Sequence, residues 1–271
     1  MIRFSSSPRF EVTRIVDDRS PTNAAFAARV ADETTAAERR GALLLVGATD
    51  PRALAVRRAQ CHLRLDRRPS YWSHAALLVS WEQAGPESAI GVEVSLDPED
   101  MARQVPERNG VTAFRLARYL DAARYPNLCV ATVDFPKSPD IKDRICEAAL
   151  RPNVERARYP FWDQLAAWAR HAYAPSTTPN PLFVAVALPG AALCERAFEA
   201  GGIDLLPGAT GPNACPELVW ATLLHWHDQV RELGGVLRAF CVVRDEVSTP
   251  PPALPPDLVD ELPAAPPARA A

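Results

Sequence analysis

Residues 213–226 read NACPELVWATLLHW, and this stretch sets the strongest constraint on the chain. Counted from Cys215, the side chains of Leu218, Val219, Thr222, Leu223 and Trp226 fall on one stripe of an α-helix. Proline is best tolerated at the first helical position, where its missing N–H would have no partner. The helix is therefore expected to start at Pro216, with Cys215 at its N-cap on the face turned to the core. Glycine, proline and asparagine in residues 208–213 supply the turn leading in. A helix N-terminus carries partial positive charge and unpaired N–H donors, which favour a thiolate and can hold an oxyanion. A cysteine so placed is a candidate nucleophile, provided that a base accompanies it. The plainer alternative is a small buried hydrophobe.

Upstream, several apolar runs have strand or helix periods. Phe10 to Val16 fits a short strand in a polar N-terminal stretch. Ala24, Phe26, Ala27, Val30 and Ala31 recur at helical spacing within 22–40, with Thr22 or Asn23 as cap. GALLLVG at 41–47 is a continuous apolar run between glycines and suits a buried strand. Residues 49–58 predict a helix capped by Thr49 or Asp50, with Pro51 in its first turn. Ala75 to Val79 and Ile90 to Leu96 predict two strands, joined most simply as a hairpin. Val111 to Leu116 fits a strand or a helix start, and Tyr125 to Asp134 a further strand. Helices are expected over 138–150, 159–173 and 193–200, a loop at 174–181, a strand or helix remnant at 183–188, and a last strand at 236–243.

Helices gather toward the ends, strands with hairpin connections fill the middle, and no regular βαβ alternation appears. That pattern predicts an α+β fold with a mainly antiparallel sheet and helices packed on it. The expected organisation is an N-terminal extension with a helix (1–40), one domain (41–247) and a flexible Pro/Ala-rich tail (248–271). Eight prolines fall between Thr249 and Ala271, a composition that cannot bury a core but could recruit a protein partner.

With 48% hydrophobic residues in 271, the chain can bury a full core. A net charge of −3 argues against an electrostatic nucleic-acid binder. The six cysteines show no CxxC spacing, which predicts free thiols in a reducing compartment and no structural metal site. No leader-like h-region and no run of about 18 apolar residues occurs, so a cytoplasmic protein without a membrane span is expected.

Among the five histidines, His225 and His227 lie about three helical turns from Cys215, while His62 and His171 sit in polar surroundings. His74 differs, because it opens the apolar strand that follows SYWS. Glu93 is its counterpart, a carboxylate inside IGVEVSL, where burial without a partner would be costly. If the two strands pair, Glu93 can accept from the imidazole and fix its tautomer. Alternation equally allows Glu93 to face solvent, and His74 to be a satisfied strand-end residue.

WSHAALLV with His74, GVEV with Glu93 and NACPELVWATL with Cys215 together resemble the circularly permuted NlpC/P60 papain-like proteins. These are the YiiX/YaeF-type amidases related to the lecithin:retinol acyltransferase group. The histidine, acid, cysteine order is theirs, the reverse of ordinary papain-like enzymes. The resemblance spans roughly residues 40–245. It departs at Pro216, where serine is common, and at Gly41-Ala42, where an acidic residue usually follows the glycine. It implies a permuted papain-like fold and a Cys215–His74–Glu93 triad acting through a thioester on a peptide-like amide, with no metal or organic cofactor. Backbone N–H groups of the helix opened by Pro216, with Tyr71 as an extra donor, would hold the oxyanion. The alternatives on the same residues are an acyltransferase or lipid-thioester hydrolase, and a non-catalytic papain-like binding module.

Overall fold

A computed structural model describes residues 14–82, 85–94, 111–155, 189–207, 214–225 and 235–247. Its strands are β1 (Arg14–Asp17), β2 (Ala42–Gly47), β3 (His74–Ser80), β4 (Ile90–Val94), β5 (Val111–Arg115), β6 (Asn127–Asp134) and β7 (Val236–Val242). Its helices are α1 (Asn23–Glu33), α2 (Ala36–Arg39), α3 (Pro51–Ala59), α4 (Asp140–Glu155), α5 (Pro189–Ala200) and α6 (Pro216–His225). The strands form one sheet in the order β1-β7-β6-β2-β3-β4-β5. Six of them pair antiparallel, and β1 is added parallel to β7 at one edge. The protein is α+β.

The local signals explain where the elements begin. The Thr22 side chain accepts from the Ala25 N–H and caps α1. Asp50 accepts from the N–H groups of Arg52 and Ala53, with Pro51 opening α3. The helical period over 22–40 divides into two helices, because Thr35 starts a new one with Glu38 in a reciprocal capping box. Val219 N–H donates to the Cys215 carbonyl at 3.1 Å, the first bond of α6, so Cys215 occupies the N-cap and Pro216 the first turn.

The central strand β2 is buried on both faces, which is why it reads as an unbroken apolar run. On one face Leu43 and Leu45, with Ala75, Leu77 and Val79 of β3, join the apolar stripes of α4, α5 and α6. On the other face Leu44 and Val46, with Ala76 and Leu78, join Phe26, Ala27, Val30 and Ala31 of α1. The expected boundary at residue 40 therefore does not separate two packing units: β1 extends the sheet and α1 covers one of its faces.

At Gly190 the first turn of α5 comes so close to β3 that an added Cβ would lie 2.2 Å from the Ala75 carbonyl oxygen. That approach requires glycine. The elements expected over 159–188 and the Pro-rich tail lie outside the described residues, as do His171 and His227.

Candidate functional site

β3 and β4 pair antiparallel with Leu77 opposite Val92, so His74 and Glu93 become near-diagonal neighbours across the two strands. His74 Nε2 and Glu93 Oε2 are 2.8 Å apart. A carboxylate only accepts, so Nε2 is the donor, and of the two neutral tautomers only the one with Nδ1 free of hydrogen fits the contact. The Glu93 carboxylate is fully buried, and the His74 side chain is 24% exposed. Burial without partners would be costly, and Glu93 has three. Arg118 Nη1 donates to Oε1 at 2.9 Å, and the Tyr119 hydroxyl donates to the same Oε2 that His74 holds. Burial and the neighbouring Glu93 charge push the Tyr119 phenol well above its ordinary pKa, so it stays a donor.

Arg118 and Tyr119 belong to a 3-10 turn, Leu116–Tyr119, that follows β5. Neither was marked by the sequence. The turn is fixed from several sides: Leu116 N–H donates to the Ala89 carbonyl at 3.0 Å, and Asn23 Nδ2 of α1 donates to the Tyr119 carbonyl at 2.7 Å. The Tyr119 ring meets Phe114 and Tyr125 edge-on, at centroid distances of 5.4 and 4.9 Å.

Cys215 is fully buried, packed with Val56 of α3, Leu63 of the turn after it, and Leu218. Burial pushes its thiol up to about 12, helped by the charge of Glu217 and opposed by the N–H groups of Leu218 and Glu217. The thiolate expected from the helix N-terminus is therefore absent near neutral pH in this conformation, because desolvation outweighs the helix-end donors. Some of the first-turn donors are engaged: Pro216 has none, Glu217 N–H donates to Gln60 Oε1 at 2.8 Å, and Val219 N–H is on the Cys215 carbonyl, while the Leu218 N–H faces the thiol itself. Tyr71 is buried beneath Arg64, whose guanidinium lies 4.4 Å from its ring centroid.

The structure brings His74 and Glu93 into contact and ties the first turn of α6, which follows Cys215, to the chain that leads into His74. Gln60 makes the tie. Its Oε1 takes the Glu217 N–H, and its Nε2 donates to the Trp72 carbonyl at 2.8 Å. Ser70 adds a hydrogen bond to Glu217 at 2.6 Å, and Trp72 packs edge-on against Trp220 at 5.4 Å.

No hydrogen bond joins Cys215 to His74 among the described residues. Alternation accounts for this. His74 falls on the face of Ala76 and Leu78, whereas α6 packs against the face of Ala75 and Leu77. The imidazole stands at the end of its strand, and the ideal Cβ position at Gly190, in the α5 layer, lies 3.1 Å from its Cε1. Among the described residues, no group of three or more His, Cys, Asp and Glu could hold a metal ion, and no helix is long and apolar enough to cross a membrane. No family model, no curated protein and no solved structure matches the chain.

Proposed function

We propose that this protein is a cysteine-dependent amide hydrolase of the permuted papain-like type, with Cys215 as nucleophile, His74 as base and Glu93 orienting the base. The observation that carries the reading is the Gln60 bridge, which ties the first turn of the cysteine helix to Trp72, two residues before His74. With Nε2 engaged by Glu93, the base is Nδ1.

The reaction runs in two halves. Nδ1 takes the thiol proton as sulfur attacks the substrate carbonyl, and the C–N bond breaks as the imidazolium protonates the leaving amine. Water, deprotonated by the same nitrogen, then cleaves the thioester and restores the thiol. Three conditions follow from the geometry. Val56 and Leu63 must move off the thiol, the thiol and the His74 imidazole, set toward opposite faces of β3, must come within reach of one another, and the oxyanion must find a donor other than the Glu217 and Val219 N–H groups.

A panel of peptide amides and medium-chain acyl esters tests this reading. Release of amine from the amides, lost in Cys215→Ser and His74→Ala, is the expected result. Turnover of the esters alone, with transfer to an added amine or alcohol, would favour an acyltransferase instead. The full burial of Cys215 favours a second reading, a non-catalytic binding module in which the cysteine is core packing. Inactivity on the whole panel, with Cys215→Ser less stable than wild type because it buries a hydroxyl among Val56, Leu63 and Leu218, is its signature.

A further inference from the structure

We infer that Arg118 and Tyr119 are positioning residues that hold Glu93, and through it His74, in the tautomer needed for base catalysis. The inference rests on His74 acting as the base, and goes beyond the triad by adding a fixed frame behind it. Glu93 has two oxygens and three donors around them: His74 and Tyr119 share Oε2, and Arg118 takes Oε1. With both ends of the carboxylate held, the group cannot rotate to follow the imidazole, so the imidazole must adapt to it. Only the Nε2–H form makes that contact, which leaves Nδ1 as the basic nitrogen. The frame is braced from outside the site, because Asn23 of α1 holds the Tyr119 carbonyl and also donates to the Tyr125 carbonyl at 2.8 Å. This gives the helix at 23–33 a task in the site as well as in the core.

A purely structural role would be to satisfy a buried carboxylate, and the test separates the two roles. The ring nitrogens of His74 are observed by heteronuclear NMR at neutral pH in wild type, Tyr119→Phe, Arg118→Gln and Arg118→Lys, with the melting temperature of each measured alongside. The expected result is a single Nε2–H tautomer in wild type and mixed tautomers in Tyr119→Phe and Arg118→Gln. Arg118→Lys, which keeps the charge, restores the wild-type spectrum. The rate of acyl transfer to Cys215 falls about tenfold in the two disruptive variants with KM unchanged, part of what an oriented base contributes. A wild-type tautomer retained in both disruptive variants overturns the inference, as does an Nδ1–H tautomer in wild type. The ring spectra need no substrate. If no acyl group ever reaches Cys215, the hydrolase reading fails while these spectra still decide the role of Arg118 and Tyr119.

Discussion

Glu93 is a carboxylate with no solvent and three donors, so its removal leaves Arg118 and Tyr119 facing an empty socket. Breaking a buried pair from one side costs about 3–5 kcal/mol, and Glu93→Ala should lose that much in urea unfolding. A loss below about 1 kcal/mol, the range of exposed pairs, would mean that the cluster is solvated. Cys215 behaves in the opposite way, since its environment is apolar. In the folded protein at pH 8 iodoacetamide should modify the half-exposed Cys61 well before Cys215, whose thiol burial pushes up to about 12. Leu63→Ala should speed labelling of Cys215, because Leu63 is part of its cover. Equal rates at Cys215 in wild type and variant would show that the cover lies elsewhere. The cysteine, the histidine and the acid were legible because each breaks the pattern of its surroundings. Arg118 and Tyr119 were not, since an arginine and a tyrosine in a turn after a strand carry no local signal. That Cys215 could be a small buried hydrophobe was legible, but what covers it was not: Val56 and Leu63 reach it from about 150 residues away in sequence.

Most strands and helices follow from period and capping, and the exceptions have physical causes. α1 and α2 divide at Thr34-Thr35 because a capping box competes with helix continuation. The parallel pairing of β1 with β7 rests on four residues, too short a run to reveal its partner. α5 depends on Gly190, and Gly190→Ala forces a backbone contact apart. Overpacking of this kind costs about 1–3 kcal/mol, measurable as a lowered melting temperature. An unchanged melting temperature would place α5 farther from β3 than the structure has it. The same helix carries a pH-sensitive carboxyl. Burial, with the charges of Asp204 and Glu199, raises Glu195 from 4.5 to about 7. The folded state thus keeps a proton that the unfolded chain has released, so stability falls as pH rises between those values. Glu195→Gln should flatten that dependence and melt higher than wild type at pH 8. A parallel pair of stability curves would contradict it.

Across the whole molecule, distant parts of the chain are drawn to the end of the sheet where β3 begins. Arg57 of α3, fully buried, donates to the Ser70 carbonyl at 2.9 Å and pairs with Asp245, beyond β7, at 2.7 Å. Asn127 at the start of β6 donates to the carbonyls of Tyr71 and Asp245 at 3.1 and 2.8 Å. Arg244 reaches Asn23 at 2.6 Å, closing the path back to α1 and the frame around Glu93. The segment before His74 is therefore held by α3, α6, β6 and the chain after β7, an arrangement that fixes the imidazole in place and, on the proposed reading, leaves the thiol as the part that must be uncovered. The measurement that bears most directly on this account is rapid quench of the protein with p-nitrophenyl acetate, followed by peptide mapping of the acetyl group. The account predicts a thioester on Cys215 that forms faster when its cover is thinned in Leu63→Ala, is absent in Cys215→Ala and is strongly slowed in His74→Ala. Acetylation that spares Cys215, or that proceeds at the wild-type rate without His74, would contradict it.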